Sequence, residues 1–271
     1  ETNAEDANLA IFETKEYGAS FGLSIPVTEH NTIGTSFGYT NTEIKTSVGT
    51  SSQITNFIAS NGSQYDILKF GVNFSYDTRN KAVLPDKGAL QRINASIALP
   101  SFGNSLEYYK LNYEAKWFKD LYNEDFVLVL GGKFGYGESY GDTTELPFFE
   151  NFYAGGPRTL RGYEENTLGP RDSTNRALGG DTRILANAEV ILPVPFLTSY
   201  KKSVRLTTFV DAGNVFGSNQ DVSLSDMRYS AGLSAIWISP FGAVSASIAM
   251  PFGDESTDEI QNFQFNFGTA F

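Results

Sequence analysis

Leu68-Lys69-Phe70-Gly71-Val72-Asn73-Phe74-Ser75-Tyr76 alternates apolar residues with polar or small ones without a break. A period of two puts the first set on one face of an extended strand and the second on the other. The pattern recurs along the chain. Tyr17, Ala19, Phe21, Leu23, Ile25 and Val27 are separated by Gly18, Ser20, Gly22, Ser24 and Pro26. Tyr109, Leu111, Tyr113, Ala115 and Trp117 face away from Lys110, Asn112, Glu114 and Lys116. Phe263, Phe265, Phe267, Thr269 and Phe271 alternate with Gln264, Asn266, Gly268 and Ala270. Eleven segments read this way, at 16–27, 32–42, 66–77, 90–99, 107–119, 126–137, 182–192, 203–216, 227–238, 243–252 and 261–271.

Their length decides the fold class. Most run ten to thirteen residues, against about five or six for an ordinary strand. A tilted strand needs roughly 9–11 residues to cross a bilayer. A soluble sandwich would carry charge on its polar face, whereas here that face is largely Gly, Ser and Asn. The pattern predicts an all-β protein, an antiparallel transmembrane outer-membrane β-barrel with its apolar side chains toward lipid. Short connections such as 28–31, 120–125 and 239–242 alternate with long ones at 43–65, 138–181, 217–226 and 253–260. That is the expected pairing of periplasmic turns with extracellular loops. An even strand number is the rule for such barrels, so eleven points to missing strands. The segment 1–15 reads as the tail of an extracellular loop, and 16–271 as the C-terminal part of the barrel.

Composition narrows the function. The 271 residues include no cysteine, one histidine and a net charge of −11, with 14% aromatic residues and 26 glycines. Disulfides, zinc-thiolate sites and cysteine nucleophiles are excluded. An acidic chain with no basic run offers nothing to nucleic acid. Mean hydropathy is only −0.23, as expected where lipid-facing and lumen-facing residues alternate. No stretch approaches the roughly 20 apolar residues of a membrane helix. The acidic start Glu1-Thr-Asn-Ala-Glu-Asp lacks the features of a signal peptide and reads as that of a mature product or excised fragment.

One connection, 138–181, exceeds the usual loop length several-fold. Its centre, Phe148-Phe-Glu-Asn-Phe-Tyr-Ala-Gly-Gly-Pro-Arg-Thr-Leu-Arg-Gly-Tyr163, is too aromatic and glycine-punctuated for disorder. Such a loop should pack into the lumen. Alternation on the neighbouring strands turns two carboxylates inward. Ile184, Ala186, Ala188, Val190 and Leu192 face outward and leave Glu189 inside; Val204, Leu206, Thr208 and Val210 do the same for Asp211.

Asn151-Phe-Tyr-Ala-Gly-Gly156, Leu160-Arg-Gly-Tyr163 and Asn166-Thr-Leu-Gly-Pro170 resemble the lumen-inserted sixth extracellular loop of the BamA family of outer-membrane protein assembly factors. That family is related to TamA and to the two-partner secretion transporters. The resemblance extends through Ala188-Glu-Val-Ile-Leu-Pro193, Phe209-Val-Asp-Ala-Gly-Asn-Val-Phe216, Arg228-Tyr-Ser-Ala-Gly232, Trp237-Ile-Ser-Pro-Phe-Gly242 and Phe263-Gln-Phe-Asn-Phe267. It implies a sixteen-stranded barrel behind POTRA domains, of which this chain holds the last eleven strands and no POTRA domain. It also implies that Arg161, within a latch motif of Leu160, Arg161, Gly162 and Tyr163, reaches Asp211 and Glu189, and it marks the loop glycines Gly155 and Gly156. The expected function is insertion and folding of barrel proteins into the bacterial outer membrane, through a lateral seam beside 261–271 with Phe263, Phe265, Phe267 and Phe271 on one face. Implied partners are unfolded outer-membrane clients, outer-membrane lipids and, mostly through the POTRA domains, accessory lipoproteins of the BAM complex. No cofactor or metal is implied.

Two other classes stay open at this point, besides a TamA-like or two-partner secretion barrel. A phospholipase or protease would need a histidine near carboxylates, but His30 lies in a short turn away from any cluster. Asp142, Glu145, Glu150, Glu164 and Glu165 crowd the long loop and read as solvated charges, so the chain is read as a non-enzyme. A passive porin would line its inserted loop with charges of both signs rather than with aromatics and glycines around Arg158 and Arg161.

Overall fold

The computed structural model describes residues 2–3, 12–122, 126–193, 203–218 and 220–267. The strands are β1 Thr2–Asn3, β2 Glu13–Pro26, β3 Asn31–Lys45, β4 Gln64–Asp77, β5 Gly88–Leu99, β6 Tyr108–Tyr122, β7 Phe126–Ser139, β8 Gly162–Tyr163, β9 Thr182–Leu192, β10 Val204–Phe216, β11 Arg228–Ser239, β12 Gly242–Phe252, β13 Ile260–Gln261 and β14 Phe263–Phe267. Twelve of them form one antiparallel meander, in which each strand pairs with the next along the chain and β7 pairs with β9 across the long loop. Among the described residues β1 and β14 are its two edges. No described helix is long and apolar enough to cross a membrane.

Register follows from the alternation. Phe21 lies opposite Phe37, Phe37 opposite Phe70, Phe70 opposite Ile97 and Ile97 opposite Tyr109, a row of large apolar side chains on one face. On the other face Ser24, Gly34, Asn73, Asn94, Asn112 and Gly135 are matched in turn. A slip of one residue would interchange the two rows, so the register is strongly specified. The apolar face is bare: Phe21 is 73% exposed and Met250 74%. A continuous apolar band of this kind is a lipid contact surface.

The first ten strands anticipated from the sequence are present, with shifted ends. The eleventh, 261–271, is divided at Asn262 between β13 and β14, and its residues 268–271 lie outside the described residues. Glu13–Lys15 belong to β2 rather than to a loop tail over 1–15, because they continue the ladder opposite Lys45–Glu43, and Thr2–Asn3 pair with Thr14 and Glu13. Residues 1 and 4–11 of that tail lie outside the described residues. The connection 43–65 contains a helix, α1 Ser52–Asn61. Its buried Ile54 and Phe57 join Phe12, Tyr65 and Phe148 in an apolar cluster at the long-loop end of the sheet. This cluster joins α1 to the long loop.

At the short-turn end, residues 78–87 form an ordered strap. Asp77 accepts a two-point fork from Arg79, at 2.9 Å from Nε and 2.8 Å from Nη2. Asn80 Oδ1 accepts from the backbone N–H groups of Asp86 and Lys87. Arg205, on the inward face of β10, then donates to the carbonyls of Leu84 and Pro85 and to Asp86 Oδ1, the last at 2.6 Å. Leu84 holds a φ of 50° and is nevertheless buried. One guanidinium thus ties together segments about 120 residues apart in sequence. Arg205→Ala should destabilise the barrel by roughly 1–3 kcal/mol, since the carbonyls of Leu84 and Pro85 lose their donor while Asp86 keeps its pair with Lys81. Denaturant unfolding of the refolded protein in detergent measures this.

Candidate functional site

The connection from Tyr140 to Asp181 is a folded element. Phe152 and Gly180 exchange both backbone hydrogen bonds, at 2.7 and 3.0 Å. Ala154 pairs with Leu168, Gly156 with Leu160, and Arg171 with Ala177. Gly156 N donates to Tyr163 O, and Thr159 Oγ1 donates to Gly155 O. Successive glycines at 155 and 156, with φ of 103° and 93°, form the bend. A side chain at 155 would be strained and would also place its Cβ 2.2 Å from Glu164 O. The hairpin offers Ala154, Leu160, Tyr163 and Leu168 to Leu185 of β9 and Val215 of β10, and all six are buried. These apolar contacts seat the loop on the inward face.

The charged centre is Arg161, which is only 9% exposed. Its Nε and Nη2 donate to Asp211 Oδ2 and Oδ1, each at 2.7 Å. Nη2 also donates to Glu189 Oε1 at 2.7 Å. The backbone N–H of Arg161 adds a bond of 3.2 Å to Asp211 Oδ2. Asn187 Nδ2 donates to Glu189 Oε1 at 2.9 Å, and the guanidinium carbon lies 3.4 Å from the centroid of the Phe209 ring. A planar fork can pair with a carboxylate at two points and stack on a ring at once, which an ammonium cannot do. Burial alone would lower the Arg161 pKa, but the hydrogen bonds and charges of Asp211 and Glu189 outweigh it and raise it. The guanidinium therefore stays charged. Asp211 is 2% exposed, so its pairing with Arg161 is shielded from bulk water.

The structure thus brings Arg161, Asp211 and Glu189 into one cluster and buries Leu160 and Tyr163 beside it. Gly162, with φ of 91°, lies where a Cβ would sit 3.1 Å from Ala249 Cβ and from Pro251 Cγ of β12. Phe263, Phe265 and Phe267 all point outward and are about 60% exposed. Phe271 lies outside the described residues. His30 Nδ1 lies 3.1 Å from Asp77 O, at the short-turn end. No group of three His, Cys, Asp or Glu suited to a metal occurs among the described residues.

Glu150 corrects an expectation. It is no solvated loop charge but a second anchor of the loop. Its Oε1 accepts from Lys69 Nζ of β4 and from Tyr108 Oη of β6, both at 2.6 Å, and its Oε2 accepts from Lys110 Nζ at 2.9 Å. Sequence alternation puts Lys69 and Lys110 on the inward face but does not name what they meet. Burial alone would raise the Glu150 carboxyl, but the charges of Lys110 and Lys69, with their hydrogen bonds, outweigh it and hold its pKa down to about 2.

Similarity to known proteins follows the same elements. Residues 2–271 match the Omp85 superfamily domain. The outer membrane protein assembly factor BamA of Neisseria meningitidis is 32% identical, over 96% of this chain and 37% of that protein. The sorting assembly machinery 50 kDa subunit of Saccharomyces cerevisiae is 27% identical, over 74% of this chain and 42% of that protein. In structure, BamA from Haemophilus ducreyi lacking POTRA domains 1–3 superposes with a TM-score of 0.87 and 26% identity, covering 97% of this chain and 56% of that one. CdiB from Escherichia coli, 12% identical with a TM-score of 0.58 over 94% of this chain and 44% of that one, shares the fold. The chain spans less than half the length of the curated relatives it matches.

Two outcomes are expected. Arg161→Ala should cost roughly 3–5 kcal/mol by leaving Asp211 buried and unpaired, and Arg161→Lys should recover only part of that; denaturant unfolding in detergent measures both. The depressed Glu150 stabilises the docked loop fully above the ordinary Glu range near 4.3, and that contribution, roughly 3 kcal/mol, is lost as pH falls through about 2. Amide exchange at Asn151 and Phe152, corrected for intrinsic rates, should lose protection between pH 5 and 2, and Glu150→Gln should flatten the dependence.

Proposed function

The chain belongs to the Omp85 superfamily, and we propose that it works as the C-terminal part of the barrel of an outer-membrane protein assembly factor. It is an integral outer-membrane β-barrel chain, and its relatives in Neisseria and yeast are named as assembly machinery. In the proposed activity the whole protein inserts and folds other β-barrel proteins into that membrane. Its partners are the unfolded clients and, around the apolar face, the lipids. Accessory lipoproteins act mainly through parts outside this chain.

The observation that carries this reading is the buried pairing of Arg161 with Asp211 and Glu189 on a loop whose next residues, Gly162 and Tyr163, pair with Ile260–Gln261 beside the last described strand. A solute channel needs an open, solvated constriction. This loop instead buries Arg161 and the apolar side chains of Leu160, Tyr163 and Leu168 against the wall. The chemistry required of an assembly factor is mechanical. A strand with an unpaired edge is a template for an incoming strand, and a barrel that opens at one seam presents such an edge to a client. In this reading no bond is made or broken, so no catalytic residue is assigned. The role of the Arg161 cluster is to hold the loop while the seam-side strands move.

In the full-length protein reconstituted in lipid, Arg161→Ala should slow client assembly by about tenfold, the factor that 1.4 kcal/mol of lost positioning makes. Client protection from protease as it folds provides the readout. Assembly at the wild-type rate by Arg161→Ala, or a large, steady, solute-selective conductance from the intact protein, would overturn the reading, the conductance in favour of a passive porin.

A further inference from the structure

The last strand changes partners part-way along. From Phe267 up to Phe263 it pairs with β12, residue for residue from Val244 to Ile248. At Asn262 the side chain takes over: its Nδ2 donates to Ala249 O while its backbone O accepts from Ala249 N. Beyond that point Gln261 and Ile260 leave β12 and pair with Gly162 and Tyr163 of the long loop. Glu164 N donates to Glu259 O at 2.8 Å, and Arg171 donates to Glu259 Oε1 and Thr257 O. Behind this segment Arg228 of β11 holds the buried carboxylate of Asp258 at 2.6 Å. The chain entering the terminal strand is thus bonded to the loop and not to the neighbouring strand.

One side chain of the terminal strand itself reaches back to the same place. Gln264 is 3% exposed on the inward face. Its Oε1 accepts from Gly162 N at 3.2 Å, and its Nε2 donates to Tyr163 O at 2.7 Å. Both ends of the amide are used, on the two residues that directly follow Arg161. Three consecutive loop residues therefore bond in opposite directions, Arg161 to β10 and Gly162 and Tyr163 to the terminal strand. A buried amide satisfied at both ends is costly to leave unpaired, so displacement of either element loads the other.

We propose that Gln264 is a positioning residue that couples the Arg161-anchored loop to the terminal strand, so that the strand moves against β12 only when the Gly162–Tyr163 segment lets go. The proposal rests on the seam reading above for its functional meaning, but the coupling itself can be measured without a client. The experiment is amide exchange at Phe263–Phe267 of the full-length protein in lipid nanodiscs, for wild type, Arg161→Ala, Gln264→Leu and the double variant. Through the coupling, Arg161→Ala should speed exchange by about tenfold in the wild-type background and by less than about twofold once Gln264 is replaced. Independent multiplication of the two effects would overturn the clamp. If Gln264→Leu fails to fold, Gln264→Asn, whose amide is drawn back by one methylene, replaces it in the same cycle. A failed cycle leaves the assembly reading standing, whereas intact coupling with unimpaired client folding in the double variant would remove the functional link and overturn the positioning role.

Discussion

A guanidinium cannot sit in a nearly dry interior without partners, and this constraint fixes the position of the longest loop in the structure. Arg161 is buried, so its charge must meet carboxylates. Asp211 and Glu189, on neighbouring strands β10 and β9, meet it with three side-chain hydrogen bonds of 2.7 Å. The reverse also holds: while the loop is docked Asp211 is 2% exposed, so its carboxylate depends on Arg161 for its hydrogen bonds. Loop and wall are therefore joined by mutual necessity as well as by the apolar contacts of Leu160, Tyr163, Leu185 and Val215.

That junction is not alone. Glu150 ties the start of the loop to Lys69, Tyr108 and Lys110 on β4 and β6. Gly162 and Tyr163 tie its tip to Gln261, Ile260 and Gln264. Between these points the loop has its own backbone bridges and shares a small core with β9 and β10, so it is held as a folded body. In the proposed activity the barrel opens at a seam, and such an element links its wall to the strand at the edge of the described sheet. The strap at 78–87, held by Arg205, braces the opposite end of the same sheet.

Much of this was legible in the sequence, for identifiable reasons. Side-chain alternation has a period set by backbone geometry, so Phe70 and Asn73 declare their faces without any tertiary information. The same rule points Glu189 and Asp211 inward, and resemblance to known loops supplies Arg161 as their partner. What escaped depends on contacts between distant segments. Glu150 looks like any loop carboxylate until Lys69 and Lys110 are brought to it by strands forty and more residues away. The inward parity of Gln264 is visible, but the match of its amide to Gly162 N and Tyr163 O is not. Helix α1 was hidden because its apolar residues Ile54, Phe57 and Ile58 are few and their buried cluster is completed by Phe148 of another loop. The change of partner at Asn262 falls where the alternation stops, since Gln261 and Asn262 are both polar, but a break in period does not name Gly162 and Tyr163 as the new partners.

The most direct measurement is a double-mutant cycle on unfolding free energy, using Arg161→Ala, Asp211→Ala and both together in the full-length barrel in detergent. If the two side chains hold the loop as one unit, the cycle returns a coupling of at least about 2 kcal/mol, because Arg161→Ala strands the buried Asp211 and Asp211→Ala leaves Arg161 with Glu189 alone, whereas the double change removes both charges. Additivity within about 0.5 kcal/mol would show that the loop keeps its place without them, and would contradict the dependence of the site on this ion pair.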